Sequence, residues 1–234
     1  KRDAILGLPI QAYRELVDSV EEGFRFAGRF LNAQKILWQW DVPYPAQIVA
    51  LAAAHAALGA AAESQFSQER LAEWFWTTAL TQDYGTSPES KLAKDADELF
   101  GWLAGQRDRP ERMLALSFNP DRLDSLRIRI SAPYRAFSAL LLRQGCRDFI
   151  TGNPADIMTF AQAPMDVHHI FPRAWCESRP DIDPGRMDSI VNKTPLTAAS
   201  NRAIGGNAPS EYIEWIQAER GISRAAMDEI LRSH

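Results

Sequence analysis

Cysteine is nearly missing from this chain: its 234 residues include two, Cys146 and Cys176, far apart and with no C-x-x-C pair. Such scarcity excludes a disulfide framework and a zinc ribbon, and it suits a reducing compartment, with the cytoplasm as the expected location. Charge of one sign is not in large excess either. The net charge is −4, residues 1–120 carry 12 basic and 16 acidic side chains, and residues 121–234 carry 14 of each. A chain so balanced has no global field to attract nucleic acid, so any such contact must come from a local basic patch. No uninterrupted apolar run reaches membrane-spanning length. The most apolar stretch, from Ile48 to Ala62, is Ala-rich and broken by His55 and Gly59, and it reads as a core helix, with no membrane expected as a partner. Also missing are a Gly-rich phosphate loop, an internal repeat, a low-complexity tract and a cleavable targeting segment. The first residue is Lys rather than Met, so a preceding portion is expected.

What remains is an ordinary globular composition, 46% hydrophobic and 24% charged, in a length that suits one large or two small domains. The first half reads as helices throughout. "LAEWFWTTAL" sets Leu71, Trp74, Phe75 and Thr78 three and four residues apart, and "LAKDADELFGWL" does the same with Leu92, Ala96, Leu99 and Leu103. Between them Gly85 can stop one helix, Ser87 can cap the next and Pro88 can enter its first turn. Trp38, Trp40, Trp74, Trp76 and Trp102 read as core.

The polar stretch "GQRDRPERM", residues 105–113, has no period and suggests a boundary. Beyond it, "SLRIRISAPYRAFSALLLRQG" begins with alternation and turns helical after Pro133, ending at Gly145, while "GNPADIMTFAQAPMDVHHIFP" is Pro-bounded and has no helical period. From Asn192 the pattern predicts a strand or turn, a short helix closed by Gly205 and Gly206, a helix from about Pro209 to Gly221, and a last helix capped by Ser223. The expected fold class is therefore α+β and predominantly helical, with a helical bundle over residues 1–110 and a second domain over residues 111–234.

Within that second domain, "MDVHHIFPRAW" places His168 and His169 side by side at the end of a short apolar strand. Two adjacent imidazoles need two sets of partners if buried, and so call for a reason beyond packing. Asn192 and Asn201 follow 23 and 32 residues after His169, bracketing a turn and a short helix. The set "VHHIFP", Asn192 and Asn201 resembles the signature of HNH endonucleases on the ββα-metal fold. That resemblance implies His168 as a metal ligand, His169 as the general base, Asn192 as the residue fixing the loop that carries the base, and Asn201 as a second ligand from the helix. It implies one divalent ion, Mg or Mn, although an imidazole where many members have Asp also suits Co, Ni or Zn. Phosphodiester hydrolysis needs such a set, because a cation must offset the phosphate charge while a base near neutral pKa activates water. Asp166, two residues before His168 and so on its face of the strand, is a candidate further ligand or a support to the ligands. Adjacent strand residues face opposite ways, so both imidazoles can serve one pocket only if the chain leaves regular strand geometry near them; Pro172 suits such an exit.

The resemblance extends through "LRIRISAPYRAF", "DFITG", "SIVNKTPLTAASNRAIGGNAPSEY", "PYPAQIVALAA" and "LAEWFWTTALTQDYG" to the C-terminal part of GmrSD-type phage-defence and modification-dependent restriction nucleases. In those proteins a nucleotide-dependent domain of ParB-like fold comes first, and nothing in this chain corresponds to it. The partner implied is double-stranded DNA, gripped mainly through its backbone. Arg173, Lys193 and Arg202 lie close to the motif and are candidate phosphate contacts, with Arg122, Arg127, Arg129 and Arg135 as a second cluster. Three other readings stay open at this level. One is a structural metal site of Cys146, His168, His169 and Cys176, another is a Cys and His hydrolase, and the third is a degenerate HNH module that binds DNA or a partner subunit.

Overall fold

Helix α1 (Ile10–Ala33) crosses helix α2 (Pro45–Leu58) at a point where a side chain has no room: a Cβ on Gly23 would lie 2.3 Å from the carbonyl oxygen of Ala52. Gly23 thus lets two backbones meet, and around that seam the first compact unit of this computed structural model is built. The structure describes residues 7–155 and 165–234, in two units, one running to Ile36 and resuming at Val42–Phe118, the other made of Leu37–Asp41 and Asn119–His234. The stretch 105–113 lies inside the first unit. Among the described residues the chain is mostly helical with one small two-stranded antiparallel sheet, an α+β architecture.

In the first unit α1 and α2 are joined by α3 (Gln65–Leu80), α4 (Pro88–Leu103) and the short α5 (Glu111–Ala115). Phe26, Phe30, Leu51, Leu71, Trp74, Phe75, Leu99 and Trp102 are buried there. Gln47 is buried as well, and its amide donates to the Phe75 carbonyl and the Thr78 hydroxyl at 3.0 Å each, tying α2 to α3. By length and composition Pro45–Glu63 could cross a membrane, but the α-helix stops at Gly59 (φ +56°) and Ala50, Leu51, Ala52 and Ala54 are buried. Two local expectations are corrected. Ser87 precedes α4, but its side chain forms no capping bond. Helix α3 ends at Leu80, and Gly85 lies in a separate 3-10 turn, Asp83–Gly85.

The second unit contains α6 (Ala132–Gln144), β1 (Met165–His169), α7 (Arg173–Glu177), α8 (Pro184–Met187), β2 (Lys193–Thr197), α9 (Ala198–Ile204), α10 (Pro209–Arg220) and α11 (Arg224–Arg232). Strand β1 pairs with β2 from Met165 opposite Thr197 to His169 opposite Lys193. Helix α9 follows β2 with no intervening loop, because Thr197 caps it by accepting from the Ser200 amide. Phe149, Leu196, Ile204, Tyr212, Ile216 and Met227 form the core beneath. The Gly and Pro punctuation of this region acts as expected: Gly205 follows α9, Pro209 opens α10, Gly221 closes it in the left-handed conformation, and Ser223 accepts from the Ala226 amide to cap α11.

The alternation in "LRIRIS" does not make a strand. Its backbone touches the rest of the unit through the Leu126 carbonyl, which accepts from the Ile190 amide at 2.7 Å, while Ile128 and Ile130 are exposed. Alternation builds a strand only where a neighbouring strand exists to pair with it. Nor are all the tryptophans core: Trp74, Trp76 and Trp102 are buried, but Trp38 and Trp40, in the segment that joins the second unit, are exposed. The stretch "DIMTFAQAP", residues 156–164, lies outside the described residues.

Candidate metal and acid–base site

The two histidines share β1 and take different partners. His168 is 2% exposed, wedged edge-on between the rings of Phe149 and Tyr212. Its Nδ1 lies 2.8 Å from Oδ1 of Asn201, projected by α9. The Asn201 amide is oriented by its other end, since Nδ2 donates to Oδ2 of Asp166 at 2.7 Å. Asp166 is itself steadied by the Val167 amide on its Oδ1 at 2.8 Å. His168, Asn201 and Asp166 therefore form one connected group across β1 and α9. Burial pulls the His168 pKa below the ordinary imidazole value, an effect that the Asn201 bond opposes and the neighbouring His169 and His234 reinforce. A neutral imidazole, with a lone pair to share, is the form a metal requires.

His169 is half-buried, and its Nε2 meets Oδ1 of Asp188 at 3.2 Å. The same carboxylate oxygen accepts from the buried Lys193 ammonium at 2.7 Å, and that ion pair is the main reason the Asp188 carboxyl stays below its usual range. Lys193 is thus committed to Asp188, with its ammonium 5.7 Å from the Tyr134 ring centroid. A carboxylate on one ring nitrogen orients an imidazole and leaves the other nitrogen to act on a proton.

Asn192 holds the segment that follows the histidines. Its Oδ1 accepts from the Phe171 amide at 2.8 Å, and its Nδ2 donates to the carbonyls of Phe171 at 3.0 Å and Met187 at 2.8 Å. The Asn192 carbonyl accepts from the Ile170 amide at 2.9 Å, and the Tyr212 hydroxyl donates to the Ile170 carbonyl at 2.9 Å. The chain leaving β1 is pinned from three directions, so Asp188 and His169 keep their separation.

Two residues of this arrangement were not singled out from the sequence. Asp188 is one, and Asp148 is the other. Asp148 is buried between strand and helix, accepting from the amides of Ile150, Thr151 and Thr197 and from the hydroxyls of Thr197 and Ser200. Burial works against its charge, but these bonds outweigh it and hold the carboxyl below its usual value. The effect is to lock the start of α9, and with it Asn201, onto the loop at residues 148–151. A signal for Asp148 existed in "CRDFIT", where an Asp two and three residues before backbone amides suits an Asx turn.

A divalent ion fits this donor set through two atoms. His168 Nε2 is buried without a hydrogen-bond partner among the described residues, and Nδ1 is the nitrogen that meets the Asn201 oxygen. Two ligands at right angles on an octahedral ion, each about 2.1 Å away, lie about 3.0 Å apart. The observed 2.8 Å between His168 Nδ1 and Asn201 Oδ1 is close to that spacing. Among the described residues no three His, Cys, Asp or Glu side chains gather as a metal-binding group, the Cys146, His168, His169 and Cys176 combination included. Cys146 is buried, its thiol pushed up to about 12 by desolvation, so it is not a nucleophile at neutral pH.

The candidate phosphate contacts are dispersed. Arg173 is exposed and paired with Glu177 at 2.7 Å, and Arg202 is exposed on α9. Arg127 donates to the Gly185 carbonyl, whereas Arg129 and Arg135 line a separate cavity with Trp38 and Trp40.

No protein-family model matches the chain, and no solved structure does. Over 177 residues, 71% of its length, the chain is 27% identical to an uncharacterized protein of Methanocaldococcus jannaschii, and the matched region spans 30% of that protein.

Proposed function

We propose that the second unit is an HNH-type endonuclease module hydrolysing DNA phosphodiesters, built as strand β1, strand β2 and helix α9 around one divalent ion, Mg or Mn. The observation that carries the reading is the pairing of two distinct imidazole environments on adjacent residues: His168 neutral, buried and facing Asn201, and His169 more open and oriented by Asp188. Catalysis of this kind separates a ligand from a base, and environment is what separates two residues of one type.

In this reading His168 and Asn201 would hold the ion, and Asp166, accepting from the Asn201 amide nitrogen, keeps that amide's oxygen on the His168 side. The ion supplies charge to offset the phosphate and to stabilise the leaving oxygen. His169, with one nitrogen on Asp188, takes a proton from water at the other as the water attacks phosphorus. Lys193 keeps Asp188 ionised, so the imidazolium that forms has a carboxylate beside it. Asn192 holds the loop that follows His169 and so keeps the base in position. Cleavage is expected to leave 5′-phosphate ends and to be largely indifferent to sequence, as the resemblance to HNH endonucleases implies.

The resemblance to GmrSD-type restriction nucleases extends the proposal to a cytoplasmic anti-phage role, with a nucleotide-dependent domain in the same protein. The test is nicking of supercoiled plasmid with Mg or Mn against the same reaction in chelator. Metal-dependent nicking supports the reading, and cleavage that persists in excess chelator refutes it.

A further inference from the structure

Trp38 and Trp40 stand outside any core, and they stand together. They flank the start of a 3-10 turn, Gln39–Asp41, with ring planes 8° apart and centroids at 5.3 Å, yet they are 47% and 65% exposed. Aromatic rings left in water forgo the largest apolar gain any side chain offers, so folding alone does not call for such a pair at the surface. The two indoles line a cavity of about 690 Å³, whose wall also includes Arg129, Ile130, Met165 and the pair Asp41 and Arg135, whose charges offset one another, all in the same unit. Arg129 and Ile130 are exposed, Ile130 by 76%.

The chemistry on that wall is specific. Flat indole faces accept a nucleobase of any sequence, and a guanidinium beside them, here that of Arg129, can meet the phosphates that link successive bases. An apolar peptide would not answer the charge of the exposed Arg129, and an intact duplex offers base faces only at its ends. The cavity also has an address: Met165 opens β1, one residue before Asp166 and three before His168. We propose that Trp38, Trp40 and Arg129 form a stacking site for unpaired nucleotides of a DNA strand, adjoining the strand that carries His168 and His169. The site deepens the nuclease reading and rests on it for its purpose. Its binding can be measured without that reading.

The experiment uses the whole chain in chelator, so that no cleavage intervenes. A fluorescein-labelled oligodeoxythymidylate is titrated by anisotropy, alongside a duplex of equal length closed by hairpins. Trp40→Ala is expected to weaken single-strand binding roughly 5- to 150-fold, the effect of losing one stacked base, with Trp40→Phe losing less and the closed duplex little affected. Arg129→Ala should weaken single-strand binding and flatten its dependence on salt. Because both indoles are exposed, circular dichroism of Trp38→Ala and Trp40→Ala should match the parent. The proposal is overturned if the parent does not bind the single strand, or if both Trp variants bind it as tightly as the parent. Unchanged oligonucleotide binding with an altered elution volume on size exclusion would make the pair a protein contact instead. Plasmid nicking with Mn, run separately, tells the two readings apart. Trp40-dependent binding without nicking keeps the stacking site and removes the nuclease, and nicking with Trp-independent binding does the reverse.

Discussion

The Ser200 hydroxyl donates to Asp148 at 2.6 Å across 52 positions of sequence, and that bond joins the loop before β1 to the helix after β2. Ser200 precedes Asn201, so whatever loosens Asp148 loosens a proposed ligand.

Asp148→Ala should therefore cost about 3 kcal/mol or more, because it leaves the Thr197 amide and hydroxyl and the Ser200 hydroxyl buried without their acceptor. Urea denaturation measures the loss. Metal affinity by calorimetry should fall too, although Asp148 touches no ion. Stability equal to the parent would show that the network is dispensable.

The two histidines should come apart by role. His169→Ala is expected to lose roughly 10²- to 10⁴-fold in nicking rate while binding metal nearly as well as the parent. His168→Ala and Asn201→Ala should weaken metal binding, with activity partly restored by excess Mn, and Asp166→Ala should cost less than either. Calorimetry and gel assays on the four variants settle the assignment, which is wrong if His169→Ala abolishes metal binding while His168→Ala preserves it.

Asp188→Asn keeps the shape beside His169 but removes the charge. The nicking rate should fall by about 10²-fold, since the imidazolium loses its counter-charge, while metal affinity stays at the parental level. An unchanged rate would separate Asp188 from the chemistry.

The Asp188 and Asp148 contacts mark where sequence reading stopped. The sequence singles out His168, His169, Asn192 and Asn201 only through a resemblance that orders them in one stretch, whereas α9 to α11 are legible because Gly205, Pro209, Gly221 and Ser223 each act on their own immediate backbone. Asp188 reaches His169 across 19 positions and Asp148 reaches Thr197 across 49, through packing that no local pattern encodes. Trp38 and Trp40 misled for a related reason. An indole is the same residue in a core or on a surface, and only the fold around Leu37–Asp41 decides which. The alternation of "LRIRIS" misled because period two is necessary for a strand but does not supply the partner.

Stability should fall on mild acidification. His168 and His234 are both held below the usual imidazole pKa chiefly by burial, whereas in the unfolded chain they take up protons near pH 6.5, about the free-peptide value. Between the folded and unfolded values the unfolded state binds more protons, so lowering the pH favours it. The two side chains should contribute no pH dependence above about pH 7.5, and the loss should begin as pH falls through about 6.5. His234→Gln should shallow that slope, read as urea midpoints between pH 5 and 8. An unchanged slope in that variant would mean that His234 does not take part.

The wedge of Phe149 and Tyr212 around His168 has a consequence for how an ion enters. Asp166 fixes which end of the Asn201 amide is oxygen, and an oxygen facing His168 makes Nδ1 the protonated nitrogen. The lone pair of the neutral ring then rests on Nε2, which is buried with no hydrogen-bond partner among the described residues. An ion held through Nδ1 would have to displace the proton there, so its binding at the proposed site would be coupled to proton release and would weaken as the pH falls.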